Sequence, residues 1–119
     1  LHFSEGNYRD AIKQLQKVDL DDVFYRLDAR SILLKSYYEL DDIDALYYHA
    51  TAFRSMLNRN RKVSEDQRKV YLNLIKHTLS LTKANGESAK LISIKNKVKK
   101  NPNIADLNWL EEKIAEFSA

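Results

Sequence analysis

The fold is decided by Asn7-Tyr8-Arg9-Asp10-Ala11-Ile12-Lys13-Gln14-Leu15-Gln16-Lys17-Val18. Tyr8, Ala11, Ile12, Leu15 and Val18 recur at the three- and four-residue steps of a helix and make one apolar stripe. Displaced by 35 residues, those five positions fall on Ile43, Leu46, Tyr47, Ala50 and Phe53. The turn ahead of them repeats too, because Gly6-Asn7 falls on Asp41-Asp42. A stripe recurring at about 34 residues, with room for a second helix between copies, marks a helix-pair repeat.

Working outward, Glu5-Gly6-Asn7 reads as a tight turn, and Leu1-His2-Phe3 as the end of an earlier helix. Asp19-Leu20-Asp21-Asp22 is an acidic link in which Asp21 or Asp22 can cap the next helix. That helix runs from about Val23 to Leu40, with Phe24, Leu27, Leu34 and Tyr38 on one side and Leu33, Tyr37 and Leu40 widening it. Apolar character over so much of its girth predicts a helix with neighbours on both sides. Asp42 caps a helix over about Ile43 to Asn58, whose stripe ends at Phe53 and Leu57. The cations of Asn58-Arg59-Asn60-Arg61-Lys62 complement its negative end.

Ser64-Glu65-Asp66-Gln67 matches a capping box. It opens a helix to about Ala84 with two apolar lines, Val70-Leu74-His77-Leu81 and Leu72-Ile75-Leu79. Asn85-Gly86 is a stop. Ser88 to Lys100 is a helix carrying Leu91, Ile92, Ile94 and Val98, and Asn101-Pro102-Asn103 breaks it. A last helix, about Asp106 to Phe117, presents Leu107, Leu110, Ile114 and Phe117. No segment alternates as a strand does. Six helices on short links predict an all-α chain of antiparallel hairpins.

Glu5-Gly6-Asn7-Tyr8-Arg9-Asp10-Ala11-Ile12 resembles the centre of a tetratricopeptide repeat, and Leu33-Leu34-Lys35-Ser36-Tyr37-Tyr38-Glu39-Leu40-Asp41-Asp42 resembles the end of the next repeat's first helix. The second copy departs from the family pattern at Asp41, Ile43 and Leu46, and the match fades after Asn58. The stretches Arg59-Asn60-Arg61-Lys62-Val63-Ser64, Tyr71-Leu72-Asn73 and Ile104-Ala105-Asp106-Leu107-Asn108-Trp109-Leu110 are similar to the C-terminal part of bacterial tetratricopeptide-like proteins of unassigned function. The resemblance implies a single domain over 1–119, stacked as a short α-solenoid. Within it, 1–58 would be recognisable repeats, 59–103 a degenerate hairpin and 104–119 a capping helix. The chain opens at Leu1 rather than Met, so a fragment of a longer protein is expected.

Composition removes several kinds of chemistry. The chain has no cysteine, which excludes disulfides, thiolate metal sites and thiol nucleophiles and favours a reducing, cytoplasmic setting. No apolar run approaches the roughly 18 residues of a membrane span. His2, His49 and His77 are scattered, and neither aspartate cluster has the alternating ligands, glycine and glutamate of a calcium loop. Helix capping accounts for those aspartates. His77 reads as a core histidine among Val70, Leu74 and Leu81. Both glycines are isolated, so no phosphate-cradling loop exists, and no serine has a Gly-x-Ser-x-Gly setting. The expectation is a protein without catalytic residues, metal or cofactor.

Binding is what remains. Net charge is −4 over residues 1–50, +10 over 51–101 and −3 over 102–119. By the resemblance, the first helix of each pair lines a concave groove, and Arg30, Tyr38 and Glu39 face it from the second unit. Arg68, Lys69, Asn73 and Lys76 form the polar face of the following helix. Such a groove suits an acidic or extended peptide of a protein partner. Two rival readings stand beside it. One is sequence-blind nucleic-acid binding by Arg59, Arg61, Lys62, Lys90, Lys95, Lys97, Lys99 and Lys100. The other is a structural connector, or self-association through an open repeat end.

Overall fold

The computed structural model describes residues 5–17 and 23–117. Among them there are six helices and no strand: α1 Glu5–Lys17, α2 Val23–Glu39, α3 Ile43–Arg59, α4 Glu65–Ala84, α5 Ser88–Lys100 and α6 Leu107–Glu116. The all-α expectation holds. The chain divides into two compact units, Leu1–Val63 and Ser64–Ala119. The expected helix end at 1–3, Val18 of the first stripe and the acidic link 19–22 lie outside the described residues.

In the first unit α2 packs against both α1 and α3. This explains the repeated stripe, since the two copies press on the same middle helix. Tyr8, Ala11, Ile12 and Leu15 of α1 are half-buried, whereas Leu46, Ala50, Phe53 and Leu57 of α3 are buried. The middle helix buries Leu27, Leu33 and Leu34 together with the small Ala29, Ser31 and Ser36. Small side chains let neighbouring helices approach closely. Ser36 spends its hydroxyl on the Ile32 carbonyl at 2.7 Å, so its burial leaves no unpaired donor.

The α2–α3 turn is closed by Asp42. Its carboxylate accepts from the Ala45 amide at 3.4 Å, and Asp41 takes a left-handed φ of 55°. Aspartate is among the few residues with a side chain that tolerate this region.

In the second unit α4, α5 and α6 all pack against one another. The two apolar lines of α4 thereby find two partners, and Leu74, Ile75, His77, Leu79 and Leu81 are buried. The capping box forms as its residues require. Ser64 Oγ accepts from the Gln67 amide at 3.1 Å, and Gln67 Oε1 accepts from the Ser64 amide at 3.0 Å. Asn85 at φ 48° and Gly86 at φ 79° end α4 in the left-handed region. The segment after Pro102 is tied to α4, because the Ala105 amide donates to the Val70 carbonyl at 3.0 Å.

Five expectations need correction. Residues Glu5, Gly6 and Asn7 are already helical rather than a turn, since the first turn of a helix tolerates glycine and asparagine with little loss. Phe24 is 64% exposed, and Ile92, Phe117 and Ile43, the first residue of the second stripe, also face solvent. Periodicity gives the direction of a side chain but not whether a neighbour lies beyond it.

Candidate functional site

The first unit carries an open hollow of about 990 Å³ lined by the first half of α2, by α3 from Tyr47 onward and by the turn that follows α3. Among the described residues, its charged and aromatic lining is Arg26, Arg30, Tyr47, Tyr48, Arg59 and Arg61. Thr51, Ala52, Ser55, Met56 and Asn60 complete it, and no carboxylate is among them.

Local rules place these side chains. Arg26 and Arg30 are four apart on α2 and so share a face. Tyr47 and Tyr48 sit on α3; Tyr48 is 83% exposed, leaving its ring open to a ligand. Arg59 is the last residue of α3. Arg61 follows in a turn held by two bonds: the Lys62 amide donates to Asn60 Oδ1 at 2.9 Å, and the Val63 amide donates to the Asn60 carbonyl at 3.2 Å. Val63 itself is buried and anchors that turn.

Behind the hollow, His49 of α3 is buried and ties the two helices together. Its Nε2 lies 2.8 Å from the backbone carbonyl of Arg30. A carbonyl only accepts, so Nε2 carries the proton. The ring is tilted against Tyr37 and Phe53, each with a centroid separation of 5.8 Å. Burial above all, aided by the Arg30 charge, pushes His49 below its ordinary 6.5, and the bond to the carbonyl opposes this only in part. His77 in α4 is also pushed down, by burial and then by Lys76 and Lys97. Its place in the core matches the expectation.

These shifts have a sign. A histidine whose folded value is lowered leaves the unfolded chain binding more protons, so stability rises with pH across that window. Stability should therefore begin to fall as pH drops through about 6.5, and the loss is complete once pH lies below the lowered folded value. Urea midpoints measured from about pH 7.5 down to about 5.5 read this effect. A His49→Gln variant, which keeps a donor for the Arg30 carbonyl, should show a shallower slope. An unchanged slope would mean that His49 is not the group responsible.

The seven residues singled out from sequence divide between the units. Arg30 lines the hollow, whereas Tyr38 and Glu39, half-buried near the end of α2, do not. Arg68, Lys69, Asn73 and Lys76 belong to the second unit. There Arg68 pairs with Glu65, and Asn73 Nδ2 donates to the Asn103 carbonyl at 3.1 Å, so Asn73 serves its own fold. Lys69 and Lys76 are exposed. The basic stretch 51–101 is divided too, with Arg59, Arg61 and Lys62 in the first unit and the lysines of α5 in the second.

Sequence reasoning missed Arg26, Tyr47 and Tyr48 as site residues. The available signal was the i, i+4 spacing of Arg26 and Arg30. A smaller hollow in the second unit, about 330 Å³, is lined by Lys95, Lys99 and Glu111 with Val98, Ile114 and Ala115. Among the described residues there is no group of three or more potential metal ligands, and no helix is long and apolar enough to cross a membrane.

The chain is an all-α protein of two compact helical units, one bearing an arginine- and tyrosine-lined hollow. No protein-family model, no curated protein and no solved structure matches it.

Proposed function

We propose that this chain is a non-catalytic interaction module of the tetratricopeptide type that binds an acidic, extended segment of a partner protein. The hollow carries the reading: four arginines and two tyrosines are among the residues that line it, and no Asp or Glu is. Guanidinium groups attract carboxylates and hold them through paired hydrogen bonds, and tyrosine rings offer apolar faces to neighbouring side chains. The 35-residue stripe and its two copies against α2 support the repeat reading. Two features of the same unit support reading α2 and α3 as an antiparallel hairpin. One end is the short turn at Leu40–Asp42, and at the other Arg26 shares a hollow with Arg59.

In this reading Arg30 is the central contact, and Tyr38 and Glu39 extend the contact surface along α2. Arg68, Lys69, Asn73 and Lys76 contribute less, because Arg68 and Asn73 are engaged in their own unit.

The test uses acidic peptides from a partner captured by the intact protein. Replacing Arg30 and Arg59 together by Glu should weaken their binding about 10- to 100-fold, the worth of one or two charge-assisted hydrogen bonds. Affinity should also fall with added salt, since exposed charges are screened beyond about 8–10 Å at physiological ionic strength. Reversing Lys95, Lys97, Lys99 and Lys100 to Glu should leave peptide binding nearly unchanged. If the lysine reversal abolishes binding and the arginine reversal does not, the hollow is not the site.

A further inference from the structure

We infer that the second unit carries a sequence-blind nucleic-acid surface, in which a line of lysines on the solvent face of α4, joined by Lys97 of α5, tracks the phosphates of a nucleic-acid backbone. The inference concerns the second unit and does not rest on the peptide reading of the first.

The first support is what α4 leaves exposed. Beyond its first turn, Lys69, Lys76 and Lys83 are its only exposed residues. They stand seven residues apart, so they keep one face with a drift of only about 20° per step. At about 1.5 Å of rise per residue the line is about 21 Å long. Asn73 and Ser80, the half-buried residues between them on that face, are polar. The same seven-residue step runs on in sequence to Lys90 and Lys97 of α5, which packs against α4.

The second support is that the fold does not use these charges. From Gln67 to Lys100 the only carboxylate is Glu87, and Lys90 pairs with it at 3.3 Å. Glu65, one turn before Lys69, is held by Arg68. Among the described residues, none of Lys69, Lys76, Lys83 and Lys97 has an ion pair. The negative end of the helix dipole suits Lys83 in the last turn of α4, but Lys69 and Lys76 lie outside its reach. Burial pushes the His77 ring below its ordinary value, and Lys76 and then Lys97 push it further. Cations from two helices thus act on one place in the unit.

The third support is the match of shape and chemistry. Lysine is a point charge with rotatable donors, so it sets no fixed orientation on a phosphate. A duplex carries one phosphate about every 3.4 Å along each strand, so a line about 21 Å long lies beside about six of them. No exposed aromatic ring accompanies the lysines on α4, so bases are neither stacked nor read. An anionic membrane is the poorer match. A helix that lies on a bilayer inserts aromatic or aliphatic side chains, and α4 exposes none.

The experiment titrates the full chain into fluorescein-labelled random-sequence DNA, as a duplex and as a single strand, and follows anisotropy over a salt series. Binding should weaken about 20- to 150-fold between about 50 and 200 mM salt, the loss expected for three or four phosphate contacts. With Lys69→Gln, Lys76→Gln and Lys83→Gln combined, the loss over the same range should be only about threefold. The matching triple arginine variant keeps the charge and should keep the full salt dependence. Circular dichroism checks that both variants are folded. An unchanged salt dependence in the glutamine variant overturns the inference, as does absence of binding by the intact chain. A folded arginine variant that behaves like the glutamine variant also overturns it, because charge is then not the cause. Phosphatidylserine vesicles or polyglutamate that displace the DNA at equal charge concentration overturn it in favour of an anionic membrane or an acidic polypeptide. The arginines of the first-unit hollow are the same in every variant, so the peptide reading stands or falls separately.

Discussion

Replacing Phe53 by Ala should cost about 3–5 kcal/mol, the usual range for emptying a buried aromatic site. Phe53 has no exposed surface and is the largest fully buried side chain among the described residues. It lies on the face of α3 turned to α2, beside His49, the residue that bonds to Arg30. Its loss would leave a cavity beside His49. Urea unfolding followed by circular dichroism gives the size of the effect. Phe53→Leu, which retains most of the volume, should cost less than about 1.5 kcal/mol. A loss below about 1 kcal/mol for the alanine variant would show that the α2–α3 face is not close-packed.

Leu110→Ala comes next, at about 2–5 kcal/mol. Leu110 is fully buried, Ile114 is nearly so, and α6 packs on both α4 and α5. The same helix carries Lys113, whose stem is buried while its Nζ reaches Glu116 at 3.0 Å and lies 6.0 Å from the centre of the Trp109 ring. The charged end thus escapes to a partner while the methylenes cover apolar surface. If melting of the alanine variant equals that of the parent, α6 is a loose tail and does not close the second core.

Both predictions concern residues that the sequence already marked as core. Phe53 stood on the repeated stripe, and Leu110 stood on the apolar face of the last helix. What the stripe could not convey is the difference in burial between its two copies. Ala11 and Leu15 are only half-buried where their counterparts Leu46 and Ala50 are buried, while Ile43 and Tyr47, the counterparts of the half-buried Tyr8 and Ile12, are exposed and half-buried. Phe24 illustrates the converse, an apolar residue at a helical spacing that nothing covers.

The sequence by itself determined the local structure, because the forces that set it act over one or two turns. Asp42 and the Ser64–Gln67 box start helices by accepting or exchanging bonds within three residues, and Asn85-Gly86 ends one by adopting positive φ. The girth of apolar residues on α2 likewise foretold its two neighbours. Only the tertiary structure decided the candidate site. Arg26 and Arg30 stand about thirty residues before Arg59 and Arg61, and no periodicity links them. They meet because Leu27, Leu34, Phe53 and Leu57 are withdrawn from water where α2 packs on α3, which gathers side chains from the rims of both helices around one hollow. Burial of apolar surface is non-directional, so which polar residues end up facing each other is fixed by how the helices fit and not by their spacing along the chain.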